Sequence, residues 1–248
     1  MAAALAGCTT TTSVVPDFAA KPYVPFNRED AVAIALREWR LFGSISDLPG
    51  SPEPAVVKPE RAPGLWERVG EYWWLGLGGK GREARWTGKH DDNGRVFPAM
   101  NDEHYAWSAA FISYVMRIAG AGDRFPYAPN HAAYVNAAAS GRSSILIAQA
   151  PQSYTPKPGD LMCFGREWAS HLRFGDLPTG GFWPGHCAVV VARQDNTLSV
   201  VGGNEEDAVT MDHVTIGSDR RLMSVVYPTE WPIVIEVRYD LESDPNRG

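Results

Sequence analysis

Pro158-Gly159-Asp160-Leu161-Met162-Cys163-Phe164 and, twenty residues on, Pro184-Gly185-His186-Cys187-Ala188-Val189-Val190-Val191-Ala192 mark where the chain changes period. Pro-Gly-Asp is turn chemistry, and the four apolar residues after it are a strand-length run. His186 to Ala192 is a second run of the same kind, rich in β-branched residues. Asp195-Asn196 supplies the next turn, Thr197 to Val201 a third strand, and Gly202-Gly203 a break before Asn204. Val209 to Ile216, Leu222 to Val226 and Ile233 to Tyr239 read as further strands. Between the first two strands, residues 165 to 185 are a long loop holding Trp168, His171, Phe182 and Trp183.

Upstream of residue 158 the apolar spacing is helical. Asn27 is an N-cap for Arg28-Glu29-Asp30, and Ala31, Ile34, Ala35, Leu36, Trp39 and Phe42 follow at helical intervals until Gly43. A proline-rich loop spans residues 44 to 62, and a second helix Leu65 to Leu75. Asn101-Asp102-Glu103 opens the clearest helix, with Trp107, Ala110, Phe111, Tyr114, Val115 and Ile118 on its apolar face. A short helix covers His131 to Ala139 after Asn130. Helices followed by a run of antiparallel strands predict an α+β fold. The chain divides into an N-terminal tether (1–26), a helical extension (27–100) and an α+β domain (101–248).

Of the 248 residues, 44% are hydrophobic and 21% charged, the composition of an ordinary globular protein. The net charge of −6 argues against nucleic acid as a partner, since phosphate binding needs a basic surface. No run of 18 or more apolar residues offers a membrane span. The three cysteines, Cys8, Cys163 and Cys187, are too few and too odd in number for a disulfide framework. No Cys-x-x-Cys or His-Glu-x-x-His spacing points to a metal, so neither metal nor cofactor is expected.

Three segments can be assembled into one acyl-transfer site. Tyr105-Ala106-Trp107-Ser108-Ala109-Ala110-Phe111 places a hydroxyl near a helix start, where the dipole and free N–H groups favour a nucleophile and an oxyanion. Gly185-His186 puts an imidazole at the head of a strand, able to act as base and then acid. Val201-Gly202-Gly203-Asn204 ends the next strand with a polar group that can orient the imidazole. The expected catalytic residues are therefore Ser108, His186 and Asn204. Trp107, His131, Cys163, Trp168, His171 and Trp183 are the candidate substrate-binding residues. Cys187 alternates with His186 and is expected in the core. Cys163, facing the start of the His186 strand, is an alternative nucleophile.

The ordered set Trp107 to Phe111, Pro158 to Leu161, Gly185-His186 and Gly202 to Asn204 resembles the CHAP and NlpC-type cell-wall amidases and peptidases. More closely, Trp107 to Ser113, Pro158 to Arg166 and Gly185-His186-Cys187 resemble a bacterial family, domain of unknown function 2272 (DUF2272). The resemblance covers about residues 100 to 215. It implies a papain-like fold acting on, or binding, peptidoglycan or another envelope peptide. It also implies a departure, because Ser108 stands where those relatives carry cysteine. A hydroxyl is a weaker nucleophile than a thiol and needs full general-base help. A non-catalytic binding module of the same fold is the alternative. At the N-terminus, Leu5-Ala6-Gly7-Cys8 before a Thr/Ser run resembles the bacterial lipobox. It implies lipidation of Cys8, a cell-envelope location and membrane contact only through that anchor. Only seven residues precede Cys8, so the signal needs a start further upstream; the alternative is a plain N-terminal tail.

Overall fold

The computed structural model describes residues 25–219, 222 and 233–241. Cys8 and all but Leu222 of the Leu222–Val226 run lie outside them. Among the described residues four α-helices come first: α1 (Arg28–Leu41), α2 (Leu65–Gly76), α3 (Ser108–Ile118) and α4 (His131–Ala139). Six strands follow: β1 (Leu146–Gln149), β2 (Leu161–Gly165), β3 (Gly185–Gln194), β4 (Thr197–Glu205), β5 (Ala208–Thr215) and β6 (Ile233–Val237). They form one sheet in the order β1-β6-β2-β3-β4-β5, every neighbouring pair antiparallel. The fold is α+β, as the change of period predicts.

The helix caps follow the sequence. Asn27 Oδ1 accepts from Glu29 N at 2.8 Å, and Asn130 Oδ1 accepts from Ala133 N at 3.1 Å, each satisfying a first-turn donor. α3 is the central helix: every residue from Ser108 to Met116 is buried. A helix apolar on all sides needs cover on all sides. The sheet supplies one side and α2 another. Gly76 allows the α2 contact, because a Cβ there would come 2.8 Å from the Ala110 carbonyl oxygen.

Both faces of the sheet are apolar, which is why the His186–Ala192 run shows little alternation. Leu161, Cys163, Cys187, Val189, Val201, Val209 and Ile235 join the helices in the main core. Met162, Ala188, Val190, Leu198, Val200 and Val234 form a smaller core on the other face, closed by Tyr154, Ile216 and Leu222. Residues of α1 and α2, among them Ala31, Ala35, Tyr72 and Trp73, belong to the same main core. Burying a large apolar side chain contributes about 1.5–3 kcal/mol, so these helices are part of what holds the sheet in place.

A charged group fixes α1 to α2. Glu38 is fully buried. It receives two hydrogen bonds from Arg68 at 2.6 Å each, one from Arg37 at 2.8 Å and one from Tyr72 Oη at 2.8 Å. Burial alone would push its carboxyl up, but these donors together hold it below the usual carboxylate range.

Three expectations are corrected. Cys163 and Cys187 form a disulfide, because β2 and β3 pair in a register that sets them directly opposite each other, with Cα atoms 4.1 Å apart. Cys163 is therefore no free thiol and no alternative nucleophile. Gly202-Gly203 does not end the third strand: β4 runs through both to Glu205. A Cβ at Gly202 would lie 2.7 Å from His186 Nε2, and one at Gly203 would lie 2.7 Å from Phe111. The two glycines thus admit an imidazole on one side of the strand and α3 on the other. The third helix does not begin at Asn101. Residues Ala99–Tyr105 are a 3-10 helix, and α3 proper starts at Ser108.

Candidate active site

Ser108 occupies the first position of α3, where backbone N–H groups of the opening turn have no intrahelical acceptor. Its Oγ lies 2.7 Å from Nε2 of His131, the first residue of α4. His131 is buried, and its other ring nitrogen, Nδ1, is hydrogen-bonded to the hydroxyl of Tyr134, one turn on. Burial first, and the neighbouring His186 second, push the basicity of His131 well below that of a free imidazole. His131 is therefore neutral at pH 7.

His186 is the first buried residue of β3, with no exposed surface. Its ring centroid lies 5.4 Å from that of His131 and 5.4 Å from that of Phe164. Its Nε2 lies 2.7 Å from Glu205 Oε1 in a contact that is not an aligned hydrogen bond, and among the described residues Nδ1 has no hydrogen-bond partner. Glu205 also accepts from Thr210 Oγ1 at 3.1 Å, is hydrogen-bonded to Asp212 and lies 3.5 Å from Arg166. Burial opposes its charge, but His186, Asp212 and Arg166 outweigh burial and hold Glu205 far below the usual carboxylate range. Asp212 moves the other way. Burial and the Glu205 charge push it up to about 8, so the two carboxyls share one proton with Asp212 as the neutral member.

The polar side chain against His186 is thus Glu205, in place of the expected Asn204. The reason is a bulge. The β4–β5 register shifts between Gly203 and Glu205, and Asn204 takes a left-handed φ of 60°. One extra residue reverses which side chain faces the imidazole. The acid directly after Asn204 was the available sequence signal. His131 had one too, since Asn130-His131 marks a helix start.

Ser108 and His131 line a crevice of about 220 Å³ with Asn130, Pro129, Arg166, Glu167, Phe182, Trp183 and Gly185. A larger cavity of about 830 Å³ shares Glu103, Ala106, Arg166 and Glu167 with it and extends to Lys58, Asp102, Asn204 and Asp207. Of the expected binding residues, His131 and Trp183 line the crevice. Trp168 is 60% exposed, and His171 is exposed on the same loop; neither lines it. Trp107 and Cys163 are core residues. The Trp107 indole is buried and donates to Glu60 Oε2 at 2.5 Å, and its ring packs on Tyr72 and Phe42. Burial pushes the Glu60 carboxyl up to about 8 despite that donor.

One group of acids, Glu60, Asp102 and Asp207, is close enough among the described residues to share a cation. Protein donors already meet it. Lys58 bridges Asp102 and Asp207 at 2.6 and 2.9 Å, Arg61 bonds Asp102 at 2.6 Å, and Trp107 occupies Glu60. The donor set suits an internal ion-pair cluster.

Comparison with known proteins adds one finding. Residues 60–240 match the family described as "Uncharacterized protein conserved in bacteria (DUF2272)". No curated protein and no solved structure matches the chain.

Proposed function

We propose, for a chain that belongs to the bacterial DUF2272 family, a papain-like hydrolase of the cell envelope that attacks peptide amides of peptidoglycan with a serine nucleophile. The observation that carries this reading is the 2.7 Å hydrogen bond between Ser108 Oγ and His131 Nε2 at the N-terminus of α3, on the wall of a crevice.

The chemistry runs through this chain's own groups. Ser108 Oγ attacks the amide carbonyl while an imidazole takes its proton. His131 is the imidazole in contact with that oxygen, and its neutral state is the one able to accept. The free N–H groups of the first turn of α3 face the charge that develops on the carbonyl oxygen. The His186–Glu205 pair next to His131 sets the local field; the proton is returned to the leaving amine as the C–N bond breaks, and water then cleaves the ester formed on Ser108 and restores its hydroxyl. Phe182 and Trp183 offer apolar contact to the substrate chain. The Cys163–Cys187 disulfide supports placement in an oxidising compartment such as the periplasm. A lipid anchor at Cys8 is the proposed tether.

A second reading is favoured by one observation. His131 is a weakened base, because it is buried and lies beside His186. General bases work best with a pKa near the working pH. The same crevice would then bind an envelope peptide without cutting it.

Digestion of purified bacterial sacculi separates the two. The hydrolase reading expects new peptide or amine ends from the wild type and none from Ser108→Ala. Equal release from both proteins, or binding to sacculi with no release from either, supports the binding module. Ser108→Cys gaining cleavage would show a competent site with a weakened nucleophile.

A further inference from the structure

The chain Ser108–His131–Tyr134 contains a proton count that fixes more than its distances do. Its three groups are joined by two hydrogen bonds, Ser108 Oγ to Nε2 and Tyr134 Oη to Nδ1. A neutral imidazole carries one N–H, on one nitrogen only. Whichever nitrogen holds that proton donates, and the other accepts.

Tyr134 breaks the tie. Its ring is fully buried in α4, one turn after His131, with the two rings edge-on at 87°. Among the described residues its hydroxyl has one hydrogen-bond partner, His131 Nδ1. If Nδ1 carried the proton, Tyr134 would accept it and its own O–H would be buried with no acceptor. A buried unmade donor is strongly disfavoured. If Tyr134 donates instead, both hydrogen bonds are made and no donor is lost. Serine tolerates either outcome, because its hydroxyl both donates and accepts and its proton can turn toward the crevice.

We infer that Tyr134 is a positioning residue that locks His131 in the Nε2–H tautomer, so that His131 donates to Ser108 Oγ in the resting protein. In that state Ser108 keeps its own proton and offers it to whatever enters the crevice. For His131 to act as base, Nε2 must be bare. The imidazole proton must then sit on Nδ1, with Tyr134 accepting it and turning its own O–H away. The lock holds the serine idle until that rearrangement. Its catalytic consequence rests on Ser108 being the nucleophile; the tautomer itself does not.

Two measurements on the folded protein test this. The ¹⁵N shifts of the His131 ring, assigned by comparison with His131→Gln, report the tautomer directly. The inference expects a pyrrole-type Nε2 and a pyridine-type Nδ1 in the wild type at pH 7. A protonated Nδ1 in the wild type overturns it. In Tyr134→Phe the Nδ1–H form is expected to become populated, and labelling of Ser108 by a fluorophosphonate probe to rise about tenfold, the effect of removing one hydrogen bond of ordinary strength. Slower labelling in Tyr134→Phe overturns the lock, since it would make the phenol an ordinary acceptor behind the base. Expected ¹⁵N shifts with no labelling of either protein uphold the tautomer and count against the hydrolase reading.

Discussion

His186 and Glu205 meet at 2.7 Å because β4 carries one residue more than β5 opposite it. The bulge at Asn204 turns the acid toward the imidazole and leaves the amide side chain lining the neighbouring 830 Å³ cavity. Orientation of the imidazole therefore depends on residue 205. On the hydrolase reading His131 is the base and the His186–Glu205 pair sets the field beside it, so Glu205→Gln should lower kcat by about tenfold, the scale of one hydrogen bond to a charged group. Asn204→Ala should stay within about threefold, apart from any effect of relaxing the left-handed turn. Steady-state kinetics on a released amine would check both, and the reverse order of effects would restore Asn204 as the orienter.

Gly202 leaves room for the same contact. A methyl group at this position would sit 2.7 Å from His186 Nε2. Gly202→Ala should displace the ring from Glu205 and destabilise the fold by about 1–3 kcal/mol, the usual range for overpacking. Urea unfolding measures the loss; an unchanged midpoint would mean that the ring moves without resistance.

The disulfide joins β2 to β3 behind His186 and closes a loop between positions 24 residues apart. The double variant Cys163→Ala/Cys187→Ala should lose about 2–4 kcal/mol of stability. A reducing agent should lower the melting temperature of the wild type and leave that of the double variant where it is. Equal responses in the two proteins would remove the cross-link from the account.

Acid–base linkage gives a pH test. Asp212 titrates at about 8 in the fold, against an ordinary aspartate in the unfolded chain. Between these values the folded state holds a proton that the unfolded state has released. Stability attributable to this group therefore falls as pH rises from about 4 to about 8, and levels off above that. Glu205, held low by His186, contributes in the opposite sense below pH 4. Asp212→Asn keeps a neutral partner for Glu205 and removes the titration, so its stability should fall less across pH 4–8 than that of the wild type. Parallel pH profiles of the unfolding midpoint would show that Asp212 is ionised throughout.

Glu38 is a buried charge whose partners all come from protein. Glu38→Ala takes two hydrogen bonds from Arg68, leaves it Glu71 and Tyr114 as partners, and should cost about 1–3 kcal/mol, measured by denaturant unfolding. A loss below 1 kcal/mol would mean that Arg68 reaches water when its partner is removed.

Some of this was legible in one dimension. The change of apolar period near residue 158 announces helices before strands, Asn27 and Asn130 announce the starts of α1 and α4, and the Pro-Gly-Asp turn announces β2. These are local effects: a cap satisfies donors two or three residues away, and a period of 3.6 or 2 is written in neighbouring side chains. Ser108 and His186 were legible as chemistry-bearing residues for the same reason, each sitting at the start of an element. β1 is not legible in the sequence, because four residues with three half-buried side chains carry too little pattern.

What no local reading could supply was pairing at a distance. The partner of Ser108 is His131, 23 residues away, and that contact exists because α3 and α4 bring their first turns together. The partner of Cys163 is Cys187, set by the β2–β3 register, and one step of slip would send each sulfur to the opposite face. Sequence fixes which residues can donate, accept or ionise, since that is covalent chemistry. Tertiary structure fixes which of them meet, whether water reaches them and which one keeps the proton, since those depend on register, bulges and burial summed over the whole core.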